Sequence, residues 1–121
     1  MELSIRVKRL SDNAILPKKN SVGYDLYASA DCVIPALGKN SITTDLSIII
    51  PEGYHGRIVP KFIMTWNHTS VNDILAPNYR GSIFIVMFNH SASDILISTH
   101  DKIAQLIIEK TVTSSILEVH E

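Results

Sequence analysis

Residues 82–90 read SIFIVMFNH, and this stretch decides the class of fold. Its six consecutive apolar side chains, 83–88, occupy both faces of an extended chain, which is typical of a central strand. The rest of the chain contains further short strand-like segments between turn residues, at 3–7, 22–30, around Val33, 41–50, 55–60, 74–79, 95–98, 102–109 and 116–119. Residues 11–20 predict a loop, and only residues near 62–70 predict a short helix or helical turn. We therefore expect an all-β sandwich, barrel or jelly roll.

The composition supports this expectation and excludes other classes. Of the 121 residues, 33 are Ile, Val or Thr, whose branched side chains favour strands over helices. A hydrophobic content of 45% excludes a disordered chain, and the net charge of -1 argues against nucleic-acid binding. The length predicts a single domain over residues 1–121.

The cysteine content and the N-terminal sequence bear on location. Cys32 is the lone cysteine, so an internal disulfide is excluded and an intracellular protein of the cytoplasm or nucleus is expected. Residues 1–4 lack the pattern of a secretion signal, and no apolar run reaches the length of a membrane span. We expect Cys32 to be a small core or surface thiol rather than a nucleophile.

Four short motifs contain information about function in addition to the alternating pattern of strands. They read GYDLY at 23–27, GRIVPK at 56–61, NYRG at 78–81 and DKIAQL at 101–106. In this order and spacing they resemble the motifs of the trimeric dUTP diphosphatases (dUTPases), and the resemblance covers roughly residues 3–119. It implies a β jelly roll of the β-clip type that assembles as a homotrimer, with active sites between subunits.

The resemblance also implies a chemistry and a set of site residues. Members of the family split dUTP into dUMP and pyrophosphate with Mg²⁺, using water that a carboxylate activates. By resemblance, Asp25 and Gln105 face the phosphates and touch the metal through water, without binding it directly. Lys61 keeps a positive charge near the phosphates, and Tyr79 packs on the deoxyribose. Three of them also have a purely structural interpretation: Asp25 as a hydrogen-bonded strand residue, Gln105 as a satisfied amide and Tyr79 as a turn aromatic.

Two departures from the family pattern concern catalysis. Counted back from Tyr79, Ala76 occupies the place of the catalytic aspartate, and a methyl group cannot accept a proton from water. Asp73 is a weak substitute, since three residues of extended chain span about 10 Å and reverse the side-chain face. We therefore assign no catalytic residue. The family's C-terminal glycine-rich arm is expected to be absent, because the sequence stops at Glu121.

A third departure lies in the second motif. Phe62 and Ile63 follow Lys61 where the family has a serine and a glycine that contact phosphate. With Met64 and Trp66 they form an apolar cluster. We expect this cluster to plug the pocket or to bind a protein partner.

These departures favour one function over its alternatives. The main expectation is an inactive or severely impaired dUTPase-like protein with a binding or regulatory role, by analogy with viral examples, that retains some affinity for deoxyuridine nucleotides. The first alternative is an active dUTP diphosphatase with Asp73 as the base. The second is a purely structural trimer.

Overall fold

The computed structural model describes residues 3–60, 69–71 and 73–120. Eleven strands form within these ranges, and β9 is the one predicted from the long apolar run. Their bounds are Arg6–Arg9 (β1), Lys18–Lys19 (β2), Tyr24–Tyr27 (β3), Cys32–Ile34 (β4), Lys39–Ile49 (β5), Tyr54–Pro60 (β6), Thr69–Val71 (β7), Asp73–Leu75 (β8), Ser82–Asn89 (β9), Ile95–Ile97 (β10) and Lys102–Lys110 (β11).

The strands form three antiparallel sheets. One has the order β1-β5-β9-β7, a second pairs β10 with β4, and the third has the order β2-β3-β11-β6-β8. The all-β prediction is therefore confirmed for the described residues. Strand β9 lies between β5 and β7, in agreement with its apolar character on both faces.

A single cluster of aliphatic side chains fills the space between the sheets. On β9, inward residues Ile83, Ile85 and Met87 are at most 1% exposed, while the residues between them face outward. The other large side chains that are fully buried come from all three sheets and from the chain around them: Leu26, Ile34, Ile42, Leu46, Ile48, Ile50, Ile58, Ile103 and Leu106. The core is thus aliphatic, as the excess of isoleucine predicts.

Two predicted elements differ from the structure, one at the C-terminal end and one in the first loop. The predicted strand at 116–119 is wrong, because residues 111–120 form no strand and Ile116 is 99% exposed. A strand needs a neighbour for its backbone groups, and no described part of the chain provides one here. The predicted loop at 11–20 contains β2, whose Lys18 and Lys19 pair with β3.

The predicted helical turn near 62–70 is mostly untested, since residues 62–68 lie outside the described ranges. Its last two residues, Thr69 and Ser70, belong to β7 and pair with Asn89 and Phe88 of β9. That part of the prediction is wrong, because a free strand edge outweighs the weak local helix preference. In the ranges that the structure covers, we find no helix with the length and hydropathy needed to cross a bilayer.

Asp31 ties the start of β4 to the turn after β10. Its Oδ1 accepts hydrogen bonds from the backbone N–H of Thr99 at 2.6 Å and from the Thr99 hydroxyl at 2.8 Å. The Thr99 hydroxyl, followed by the Thr99 backbone N–H, lowers the pKa of Asp31 below its ordinary value of 3.8. The ionised carboxylate is therefore bound more tightly in the folded chain than the neutral acid.

This linkage predicts a pH-dependent effect of D31N. Above pH 3.8 the wild-type carboxylate contributes its full stabilisation, and this contribution is lost as pH falls through the lowered pKa. The difference in melting temperature between wild type and D31N should therefore be largest above pH 3.8 and shrink below it. Thermal denaturation across acidic and neutral pH measures this difference. T99V serves for comparison, because it removes the hydroxyl bond to Asp31 and keeps the bond from the backbone N–H of residue 99. A difference independent of pH would contradict the linkage.

Candidate functional site

Asp25 and Gln105 lie side by side on adjacent strands. They are direct register partners in the pairing of β3 with β11. The Asn20 amide links them, since its Nδ2 donates to Asp25 Oδ1 at 2.9 Å and to Gln105 Oε1 at 3.4 Å. We call these three residues the polar cluster. Its oxygen atoms occupy the outer face of the five-stranded sheet, opposite the core.

Two lysines add positive charge beside the polar cluster. Lys102 Nζ lies 3.5 Å from Asp25 Oδ2, and the Asp25 side chain is only 19% exposed. Lys18 is the register partner of Asp25 on β2, and its Nζ lies 5.5 Å from the centroid of the Tyr27 ring. Carboxylate and amide oxygens next to lysines can hold hydrated cations and phosphates together.

Asn20 is a site residue that sequence reasoning missed. Its Oδ1 also accepts hydrogen bonds from the backbone N–H groups of Val22 at 2.8 Å and Gly23 at 2.7 Å, which forms an Asx turn. Gly23 packs so closely on β11 that a Cβ there would overlap the carbonyl oxygen of Leu106. An asparagine before a serine and a glycine is a turn signal, and this signal could have drawn attention to it.

A second feature is a cavity of about 290 Å³ where the chain turns between β8 and β9, two strands of different sheets, and we call it the hairpin cavity. Its walls are mostly apolar and carry two hydroxyl groups, those of Tyr79 and Ser82. The lining residues are Ile74, Leu75, Ala76, Tyr79, Ser82, Ile83 and Phe84.

Tyr79 is held at the mouth of this cavity by its neighbours. Its backbone N–H donates to the carbonyl of Ala76 at 3.4 Å, and its hydroxyl donates to the carbonyl of Ser82 at 3.3 Å. The preceding Asn78 has a positive φ of 63° and donates through its amide to Glu52 at 2.7 Å. A Cβ on Gly81 would overlap the Tyr79 hydroxyl, so the ring position depends on a glycine there. Tyr79 is 46% exposed and free to contact a ligand.

Within one chain, the polar cluster and the hairpin cavity are far apart. Gln105 pairs with Val59, whereas Leu75 pairs with Gly56. Asp25 and Ala76 are thus separated by three strand spacings and about four residues along the strands, which amounts to about 20 Å. The structure brings Asp25 together with Gln105 and does not bring either one to Tyr79.

The remaining predicted residues can be placed only in part. Asp73 lies on β8 opposite Ile58. Ala76 is exposed, immediately after that strand. Lys61, together with the proposed apolar cluster Phe62, Ile63, Met64 and Trp66, lies outside the described residues.

A second charged group shares the outer face of the same sheet. Arg57 holds Glu109 through two hydrogen bonds, at 3.2 and 3.0 Å, and His55 Nε2 lies 2.9 Å from Glu109 Oε1. The hydrogen bonds from Arg57 and then His55 lower the pKa of Glu109. Sequence reasoning gave this trio no role, and its two-pronged geometry suits a structural ion pair.

Two other kinds of site, a cysteine nucleophile and a cluster of side chains that binds a metal ion directly, find little support. Burial, and then the neighbouring Asp31 charge, raise the pKa of the Cys32 thiol, which makes it a poor nucleophile. Among the described residues, no three His, Cys, Asp or Glu side chains gather in a group that could hold a metal ion.

Comparison with known proteins gives a consistent result. The family model described as dUTPase matches residues 13–121. An Arabidopsis thaliana protein named deoxyuridine 5'-triphosphate nucleotidohydrolase is 43% identical over 122 residues, covering 96% of this chain and 73% of that protein. A mitochondrial Dictyostelium discoideum protein of the same name is 42% identical, covering 98% of this chain and 69% of that protein.

Solved structures agree with this result. A dUTPase variant of Staphylococcus bacteriophage 80alpha with dUpNHpp superposes with a TM-score of 0.89 at 25% identity, covering 98% of this chain and 97% of that one. A variant dUTPase of the S. aureus phage phi11, described with a structural Mg(II) ion, has a TM-score of 0.89 at 24% identity, with 98% of both chains covered. The dUTPase-like fold predicted from the motifs is confirmed.

The polar cluster predicts a charge-specific effect of N20D. The new carboxylate keeps the acceptor for Val22 and Gly23 but loses the donor and places a second negative charge beside Asp25. We expect the free energy of unfolding at pH 7 to fall by about 1–3 kcal/mol. Urea denaturation at pH 7 tests this. N13D, at an exposed asparagine, is the matched control, and an equal loss there would contradict the prediction.

Proposed function

Because this chain belongs to the dUTPase family, we propose that it is a dUTP diphosphatase, which hydrolyses dUTP to dUMP and pyrophosphate. Its relatives at about 40% identity over nearly the whole chain are named as nucleotidohydrolases of deoxyuridine 5'-triphosphate. This finding overturns the main expectation from the sequence, that of an inactive binding protein. The alternative, an active enzyme, takes its place.

The observation that carries the proposal in structural terms is the hairpin cavity. Its volume of about 290 Å³ suits one nucleoside and leaves the triphosphate outside. The Tyr79 ring, fixed by its hydrogen bond to Ser82, offers a flat surface to the deoxyribose. Packing of a ring against the sugar leaves no room for a 2′-hydroxyl, so the site favours deoxyribonucleotides over ribonucleotides.

The phosphates of the nucleotide must therefore bind to a different part of the protein. The polar cluster and the two lysines have suitable chemistry but lie about 20 Å from Ala76 in the same chain. We therefore propose a homotrimer in which one copy binds the nucleoside and the polar cluster of a neighbouring copy faces the phosphates. This arrangement explains why one chain contains both the polar cluster and the hairpin cavity although the two lie far apart.

The polar cluster also fits Mg²⁺ bound through water. Mg²⁺ prefers oxygen ligands, keeps several of its waters and is often bound by one or two carboxylates together with substrate phosphates. Asp25 supplies the carboxylate and Gln105 the amide oxygen, and Asn20 fixes the orientation of both. When bound, the ion neutralises charge on the phosphates. Lys102 and Lys18 supply further positive charge from the chain itself.

Proton transfer from the attacking water is the second requirement. Ala76 follows β8 at the position where, by resemblance, the family has its aspartate, so we assign the proton acceptor to Asp73 on β8. Three residues of extended chain separate the two positions by about 10 Å. A hydrogen bond between two oxygens spans only about 2.8 Å, so the proton passes through a chain of several further waters. We also propose an intracellular location, because a lone cysteine, Cys32, is typical of proteins in a reducing compartment.

The activity is tested by pyrophosphate release from dUTP in the presence of Mg²⁺. We expect turnover with dUTP, much slower turnover with UTP, and loss of activity in Y79A, since the sugar contact is gone. Competition with dCTP and dTTP tests selectivity for the base. Absence of turnover beyond one equivalent per chain would overturn the proposed function.

The proton acceptor is tested by two substitutions and their combination. Because general-base assistance is worth about 10²–10⁴-fold, D73N should lower kcat by that order and A76D should raise it. The double variant D73N/A76D should recover the rate that D73N loses. Wild-type kcat in D73N would remove Asp73 from the mechanism, and an unchanged rate in A76D would show that position 76 does not face the water.

The shared site is tested by mixing two inactive variants. D25A lacks the phosphate half and Y79A lacks the nucleoside half, so each is inactive alone. In randomly mixed trimers, about one site in four combines an intact half from each chain. Activity should therefore reappear after refolding the two together, and sedimentation should give the mass of three chains. No recovery in verified mixed trimers would place both halves in one chain.

A further inference from the structure

We propose that Phe84 forms an aromatic wall of the hairpin cavity and stacks on the base of the bound nucleotide, a role that rests on the proposed dUTP diphosphatase function. Phe84 lines the same cavity as Tyr79, and its side chain is 49% exposed. Two half-exposed aromatic residues in one small cavity form a suitable site for a flat ligand with a sugar attached. Tyr79 then serves the sugar and Phe84 the base.

The position of Phe84 follows from the strand that carries it. Side chains alternate along β9, and Ile83 and Ile85 on either side of Phe84 are at most 1% exposed. Phe84 is thereby directed away from the core. On β5 it faces Thr43, after which the register of the two strands shifts. Among the described strands, β7 covers the other edge of β9 only from Met87 to Asn89. Phe84 lies beyond that cover, on the stretch that borders the cavity.

The chemistry of the base suits this wall. A pyrimidine has a flat π-face, and stacking on an aromatic side chain is favourable and independent of hydrogen bonds. Stacking also covers apolar surface that the free protein exposes to water. The edge of the base stays free for the backbone groups of residues 76–81. Phe84 therefore provides affinity, while the backbone provides the choice of base.

Phe88 offers a matched control on the same strand. It lies four residues further along the same face and is 38% exposed. Its surroundings differ, however, because it stacks with His90 at a centroid distance of 6.4 Å and lies below Lys39 Nζ at 5.9 Å. It lines a different cavity from Phe84. A general effect of removing an exposed aromatic residue from β9 should appear at both positions.

The test compares F84L with F88L, since leucine keeps an apolar side chain but removes the aromatic ring. Calorimetry with a non-hydrolysable dUTP analogue should show binding weakened about ten- to a hundredfold in F84L and unchanged in F88L. The KM for dUTP should rise in F84L with kcat nearly constant, and F84Y should restore it. In F84W, the added indole should be quenched by dUMP, whereas F88W should not respond.

The outcomes separate this inference from the function on which it rests. If wild type binds and hydrolyses dUTP while F84L binds the analogue equally well, Phe84 has no role and the function stands. If wild type neither binds nor hydrolyses dUTP, the proposed function fails first. Equal weakening in F84L and F88L, or a loss of thermal stability confined to F84L that F84Y does not restore, would assign Phe84 a structural role and overturn the inference.

Discussion

Strand β11 pairs with β3 on one edge and with β6 on the other, and the functional surface depends on this double pairing. The strand contributes Ala104 and Leu106 to the core, while Gln105 between them reaches the opposite face. The register with β3 sets Gln105 beside Asp25. A shift of one residue in this register would move Gln105 into the core and separate the oxygens of the polar cluster. Burial of aliphatic side chains therefore fixes the polar geometry on the other side of the sheet.

The fold was largely predictable because long apolar runs and turn residues determine it locally. Strands β5 and β9 follow from such runs. Strand β2 was not predictable, since Lys18 and Lys19 carry no strand pattern and become a strand only by pairing with β3. The segment 116–119 shows the converse case, because a strand-like pattern without a neighbouring strand produces no ladder. Edge strands depend on partners that local sequence does not reveal.

The candidate site was predictable in its residues but not in its geometry. The motifs pointed separately to Asp25, Gln105 and Tyr79, yet only the sheet order places the first two together and the third elsewhere. Asn20 escaped notice because its importance comes from a contact with a residue 85 positions away. Ala76 illustrates a different limit. It is exposed just after a strand, where a carboxylate or a methyl group is equally compatible with the fold, so the fold alone does not report the chemistry at that position.

The separation of Asn20 from Gln105 along the chain has a consequence for synthesis on the ribosome. Strand β3 leaves the ribosome well before its partner β11, because Asp25 precedes its register partner Gln105 by 80 residues. Until then, Asp25 has no register partner on that edge and the sheet cannot close around Leu106. A nascent chain therefore leaves the backbone groups on this edge of β3 unpaired until β11 has been made. Slow decoding anywhere between β3 and β11 would prolong this aggregation-prone interval, whereas slow decoding before β3 would not.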